Sequence, residues 1–281
     1  GAKRIKLLKK EDAAVMLKLV LSVTLPALTI LSIYKASLTL NMAFIPVSAM
    51  LVVFIMYGIS SLFGSLVKMP RTTFGSFLVG TMIMNTAFSL PFFWAAFENE
   101  GLARASLFDI GNTILIFTFT YYNAIKYGEN SKSDRIDWSK FLRLPPLWGM
   151  AIAFVIKGMR VTIPDAGLNF LNLLGQPTTP LIMLALGLYF EPQLKNIGRA
   201  SVAIFIRMGL GLMIGWLLAT VFGLQGVSRT VVIVNSATPI GFNTLIFANL
   251  ENMDREFAAT IVSISILIAL FYIPFMIYLF T

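Results

Sequence analysis

The chain has 281 residues, 57% of them hydrophobic and 12% charged, with a mean hydropathy of +0.82. Soluble domains are about 25% charged, so a water-soluble globule and a disordered chain are excluded and a polytopic membrane protein remains. The absence of Cys and His excludes disulfides, thiolate nucleophiles, Cys/His metal sites, Ser-His-Asp triads and histidine relays, and the net charge of +9 fits Lys/Arg-rich cytoplasmic loops better than nucleic-acid binding.

A bilayer core needs about 20 apolar residues per helix. Nine stretches qualify: 12–34, 42–66, 72–97, 105–125, 144–160, 166–190, 198–222, 229–250 and 257–280. The basic start "GAKRIKLLKK" has no apolar run of its own and does not read as a signal peptide. The longest loop, 126–142, is polar and divides the chain. Threading the nine spans puts 15 of the 22 Lys and Arg on the side of the N-terminus. Five fall on the other side (Lys35, Arg104, Lys157, Arg160, Arg229), and Lys18 and Arg207 lie within spans. The basic side is cytoplasmic by this count. Loops 1–11, 67–71, 126–143, 191–199 and 250–256 are then cytoplasmic, and the C-terminus lies outside the plasma (inner) membrane.

The chain resembles itself. Pro26 in "TLPALTI" returns as Pro180 in "TTPLIML", and Glu98-Asn99 returns as Glu251-Asn252, at offsets of 154 and 153. Between these pairs lie two polar interruptions of apolar spans, "MNTAFSLP" at 84–91 and "VNSATPIGFN" at 234–243. Equivalent pieces fall on opposite sides of the membrane, the pattern of an inverted repeat. The expected domains are a first repeat over 1–142, with four of five spans joined by the loop 126–142, and a second over 143–281, with five. Pro180 lies in the second span of its half. The symmetry therefore predicts a further span before Gly1, giving 5+5.

The two interruptions are the strongest chemical signal. Each carries a proline, Pro91 or Pro239, which removes a backbone donor and frees a carbonyl. Freed groups at membrane depth are tolerated where they are buried in protein or line a cavity. Asn85, Thr86 and Ser89 gather at one break, and Asn235, Ser236, Thr238 and Asn243 at the other. Half-helix N-termini meeting there would suit a carboxylate. Two proline kinks satisfied by Ser/Thr hydroxyls are the alternative reading.

Intramembrane ionisable residues are the second signal. Asp109, with Asn112 nearby, reads either as a proton or Na⁺ coupling site or as a structural cap at the outer interface. Arg207 lies too deep to pair with Asp109 and is a candidate source of positive potential for an anion cavity. Lys18 is close enough to the inner end of its span to snorkel. Among the Trp and Tyr residues, Trp94, just beyond Pro91, stands nearest the first break.

"LKKEDAAVMLKLVLSVTLPALTI", "MNTAFSLP", "TTPLIMLALGLYF" and "SATPIGFNTLIFANLENMDREFAATIVSISI" resemble the auxin efflux carrier family, which includes the plant PIN-FORMED carriers and bacterial malate or malonate permease-like proteins. The resemblance spans about residues 4–274. It implies an all-α fold of ten helices whose fourth and ninth cross at their prolines. It also implies a scaffold domain at about 12–34 and 144–190, a transport domain at about 42–125 and 198–280, and elevator-like motion. Carried over by position, Asn85, Pro91, Asn235, Thr238, Pro239 and Asn243 would form the anion site. Many members have a Gly before the fourth-helix proline where this chain has Ser89-Leu90, and the long central loop of the plant carriers is absent.

The function expected is secondary active transport of small organic anions, with no catalytic residues, no metal and no cofactor beyond H⁺ or Na⁺. The partners expected are the substrate anion, the bilayer and a second copy docked through scaffold helices, with no nucleic acid. A sodium-coupled carrier like the bile-acid symporters is one alternative, although 229–250 lacks the acid that family places at the ninth-helix crossing. A channel or non-transporting sensor is another. An intramembrane enzyme lacks the paired aspartates or nucleophile motif it would need.

Overall fold

The computed structural model describes residues 9–35, 42–129, 145–189 and 197–281. The expected loops 1–11, 126–143 and 191–199 fall largely outside them. The described residues are almost entirely helical, with no strand beyond one isolated bridge. This is the all-α architecture that the composition requires, because a helix satisfies its own backbone groups in lipid. Among the described residues, four helical stretches are long and apolar enough to cross a bilayer: Glu11–Lys35, Phe44–Gly64, Ile197–Val221 and Arg255–Phe280.

In chain order, α1 comprises Lys10–Leu19, a π-helical Val20–Thr24 and Leu25–Lys35. Next come α2 (Phe44–Leu66) and α3 (Arg71–Met82). The long α4 starts as Thr86–Leu115 and runs on through π-helical Ile116–Thr120 to Tyr121–Tyr127. Its direction changes at Glu98, whose φ is 50°. Then follow α5 (Pro145–Gly158), α6 (Asp165–Gly175) and α7 (Thr178–Tyr189). The rod α8 joins Ile197–Ile204, π-helical Phe205–Leu210 and Gly211–Val221. The chain closes with α9 (Gly226–Ser236), α10 (Asn243–Leu250) and α11 (Arg255–Phe280).

Three expected spans are interrupted. The stretch 72–97 breaks at Ile83–Asn85, and 229–250 breaks between Ser236 and Asn243. The stretch 166–190, expected as one helix, is two, separated at Gln176-Pro177. Gln176 keeps helical backbone and its N–H still donates to the Asn172 carbonyl at 2.9 Å, but Pro177 has no N–H to carry the ladder on, and α6 ends there. Pro180 then falls in the first turn of α7, where its missing N–H has no helical partner to lose.

The chain folds as two compact units: Gly1–Ala36 with Ser133–Phe190, and Ser37–Lys132 with Glu191–Thr281. In the first, α1 packs on α5, α6 and α7. The buried Thr178 hydroxyl donates to Thr24 Oγ1 at 2.8 Å, and Lys157 Nζ donates to the Ile33 carbonyl at 2.7 Å, capping the end of α1. In the second, α4 packs on α2, α9 and α11, and α8 packs on α9. The core of this unit includes the fully buried Phe77, Phe93, Phe108, Phe117, Phe247 and Phe257.

Candidate functional site

Both helix breaks lie in the second unit, and they pair with each other. Met84 and Ile240 form an antiparallel bridge. Asn85 N–H donates to the Pro239 carbonyl at 2.9 Å, and Gly241 N–H donates to the Ile83 carbonyl at 3.0 Å. Each break therefore supplies the other with the partners its missing helical turn gave up. A third strut comes from α11, where the buried Ser265 hydroxyl accepts from Ile240 N–H at 3.1 Å. Gly241 is required here by close approach. A Cβ on it would crowd the Ile83 side chain and stand 3.2 Å from the Met84 carbonyl oxygen.

Asn85 is the N-cap of α4. Its Oδ1 accepts from Phe88 N–H at 3.3 Å, while its Nδ2, buried, has no partner. Asn235, one residue before the end of α9, is likewise fully buried; its Oδ1 accepts from Ser89 Oγ at 2.6 Å and its Nδ2 has no partner. The Ser236 and Thr244 hydroxyls are also buried without partners. Unpartnered buried donors are rare because each costs about 1–3 kcal/mol. Several of them gather where the two helix breaks pair.

The remaining expected residues divide. Thr238 and Pro239 lie within the second break; the buried Thr238 hydroxyl donates to the Asn235 carbonyl at 2.8 Å, and the Pro239 carbonyl receives Asn85 N–H. Asn243 is half-buried and is the first residue of α10. Pro91, expected at the break, instead lies inside α4, five residues past Thr86. The break forms upstream because residues 83–85 gain cross-break hydrogen bonds and Asn85 caps the helix that follows. The side chains of Pro91 and Trp94 lie outside the described positions.

Asp109 and Asn112 reach back from the later part of α4 to its beginning. Asp109 is partly buried and accepts from the Thr86 hydroxyl. Asn112 is fully buried; its Nδ2 donates to the Met84 carbonyl at 3.0 Å and lies 3.4 Å from Asp109 Oδ1. Asp109 therefore stands beside the N-terminus of α4, against the first break.

Arg207 lies in the π-helical part of α8 and is fully buried. Its guanidinium meets backbone: Nη1 donates to the Thr81 carbonyl at 3.0 Å, and Nη2 donates to the Ser236 carbonyl. Thr81 is next to last in α3 and Ser236 is last in α9. One cation thus caps the C-terminal ends of both helices that run into the breaks. Two glycines let α8 come close enough: a Cβ on Gly211 would stand 2.8 Å from Arg207 Nη2, and one on Gly215 would stand 2.6 Å from Ser236 Cβ. Sequence reasoning passed over this G-x-x-x-G spacing, which was its visible signal of tight helix packing in a membrane.

The sequence pattern of a family described as membrane transport protein matches residues 1–277. A protein named as an uncharacterized transporter from Methanocaldococcus jannaschii is 28% identical over 270 residues, covering 92% of this chain and 87% of that protein. Another from Methanothermobacter thermautotrophicus is 24% identical over 275 residues, covering 95% and 89%. The chain belongs to the membrane transport protein family, the one to which the auxin-efflux-carrier resemblance pointed, and it is an integral membrane protein.

Proposed function

We propose that this transport-family protein is a secondary active transporter of small organic anions, mono- or dicarboxylates, with its anion site at the paired helix breaks. The observation that carries the reading is the pair of unpartnered buried amide donors, Asn85 Nδ2 and Asn235 Nδ2. Their oxygens are already engaged, so each offers a ligand N–H only. The N-termini of α4 and α10 start at the same breaks and add partial positive charge. Asn85, Asn235, Thr238, Pro239 and Asn243 form the site, with Asp109 and Asn112 serving ion coupling. Arg207 acts from behind the site, through the helix ends it caps.

The inverted repeat is part of this proposal. Its offset of 154 relates Thr24 to Thr178 and Asn85 to Pro239, and both pairs are hydrogen-bonded partners. Contact between equivalent residues is what an intramolecular two-fold axis produces. Elevator-type alternating access follows if the unit holding both breaks is the moving part. The first unit, with α1, α5, α6 and α7, would be the scaffold and the site of homodimer contact. The Lys/Arg asymmetry supports a cytoplasmic N-terminal side.

The test is uptake of labelled carboxylates into proteoliposomes. Saturable uptake and counterflow identify a carrier. Asn85→Ala and Asn235→Ala should each weaken anion binding by about tenfold or more, the worth of one buried hydrogen bond to a charged ligand. Wild-type affinity in both variants overturns the site, and non-saturable flux overturns the carrier.

A further inference from the structure

We infer that each anion is taken up together with one proton, which resides on Asp109 while the anion occupies the paired breaks. This rests on the anion-transport reading above. The first step concerns the helix ends at the breaks. Two are C-termini, those of α3 and α9, each carrying roughly half a negative charge. Arg207 donates to the Thr81 and Ser236 carbonyls and offsets both with one full positive charge. Its counterpart at the repeat offset is Val53, so one arginine serves both halves.

Two further ends are N-termini, each roughly half positive. The one at α4 already has a carboxylate beside it, because Thr86, its first residue, donates to Asp109. The one at α10 follows Phe242, an N-cap without a side-chain hydrogen bond. With Asp109 ionised, the two side-chain charges cancel and so do the four helix ends. The paired breaks are then neutral as a whole. An arriving monocarboxylate adds one negative charge beside Asp109, in a medium that screens it weakly. Protonating Asp109 restores neutrality and returns the α4 N-terminus to the ligand.

The groups around Asp109 favour a proton over a metal cation. Its side-chain partners are Thr86, Asn112 and Thr113. Thr86 presents its hydroxyl hydrogen, and Asn112 turns its nitrogen, not its oxygen, toward the carboxylate. A hard cation needs several converging oxygens, and the Asn112 nitrogen, held in place by its bond to the Met84 carbonyl, takes one of the positions an oxygen would need. The elements packed on α4 bring these titratable or charged groups: Tyr57 on α2, Arg71 on α3, Arg229 on α9, and Arg255, Glu256, Tyr272 and Tyr278 on α11. On α4 itself, Glu98, Glu100, Lys126 and the tyrosines 121, 122 and 127 complete the set with Arg104, which pairs with Glu100 at 2.8 Å and donates to Ser228. None of them is a hydrogen-bond or ion-pair partner of Asp109.

The experiment uses the purified full chain in detergent and the fully ionised carboxylates pyruvate, lactate and 2-oxoglutarate. Titration calorimetry in buffers of different ionisation enthalpy counts protons taken up on binding. The wild type is expected to take up about one proton per pyruvate or lactate bound, and above the midpoint its affinity should fall about tenfold per pH unit. Asp109→Asn should bind with the affinity of the low-pH wild type and take up no proton. Thr86→Val, which removes the hydrogen bond to Asp109, should move the pH midpoint without abolishing uptake. Wild-type binding without proton uptake overturns the inference, as does undiminished uptake in Asp109→Asn or binding that depends on Na⁺ at every pH. If the wild type binds none of the three at any pH, the anion reading itself falls, and this inference with it.

Discussion

Replacing Arg207 with Met keeps most of the side-chain volume and removes the guanidinium. Two backbone carbonyls, those of Thr81 and Ser236, then lose their buried donor. Each hydrogen bond from a charged donor contributes about 1.5–3 kcal/mol. The gross loss is therefore about 3–6 kcal/mol, reduced because a desolvated charge disappears with the donor. Guanidinium Nε has no partner, so two bonds are all that the side chain surrenders there. A net loss near 3 kcal/mol corresponds to a Tm about 6–12 °C lower for a chain of this size. Arg207→Lys keeps the charge but not the fork that reaches two carbonyls at once, and should lose about half as much. The assay is thermal unfolding in detergent, with each variant purified as a monodisperse peak. A Tm for Arg207→Met equal to that of the wild type would refute the claim that this residue closes the two helix ends.

Gly215→Ala places a methyl group 2.6 Å from Ser236 Cβ and should destabilise by about 1–3 kcal/mol, whereas Gly58→Ala, with nothing within 4 Å, should leave the Tm unchanged or raised. Thr178→Val leaves Thr24 without the hydroxyl that donates to it and should cost about 1 kcal/mol, visible as a small fall in Tm with no change in anion affinity. In proteoliposomes, Asp109→Asn should flatten the pH dependence of uptake, and an unchanged profile would remove Asp109 from coupling.

Much of this architecture could be read from residue pattern. Apolar run lengths located the helices, and the polar clusters around Asn85 and Asn235 marked where they break, because a polar side chain in lipid needs a partner. The exact position of the first break could not be read. Pro91 was the visible signal, but the chain opens six to eight residues earlier, where it gains hydrogen bonds to residues 239 and 241 that only tertiary structure supplies. The split at Gln176-Pro177 was legible as "GQP", yet Pro180 was the more conspicuous proline because it matched Pro26. Arg207 shows the deeper limit. Its partners are backbone carbonyls, which every residue has, so nothing in the side-chain sequence singles out Thr81 or Ser236. The glycines that admit it, Gly211 and Gly215, carry a spacing signal but do not say which helix comes close.

The most direct measurement of the central claim is the distance between a bound carboxylate and the two amide nitrogens. A ¹³C-carboxylate ligand, the tightest binder among pyruvate, lactate and 2-oxoglutarate, would be held by membrane-reconstituted protein carrying ¹⁵N-asparagine, and carbon–nitrogen dipolar recoupling recorded. The account predicts dephasing at hydrogen-bonding range, about 3–4 Å between carboxyl carbon and amide nitrogen, weakened in Asn85→Ala and again in Asn235→Ala. A bound carboxylate that shows no dephasing, or dephasing that both substitutions leave untouched, would contradict it.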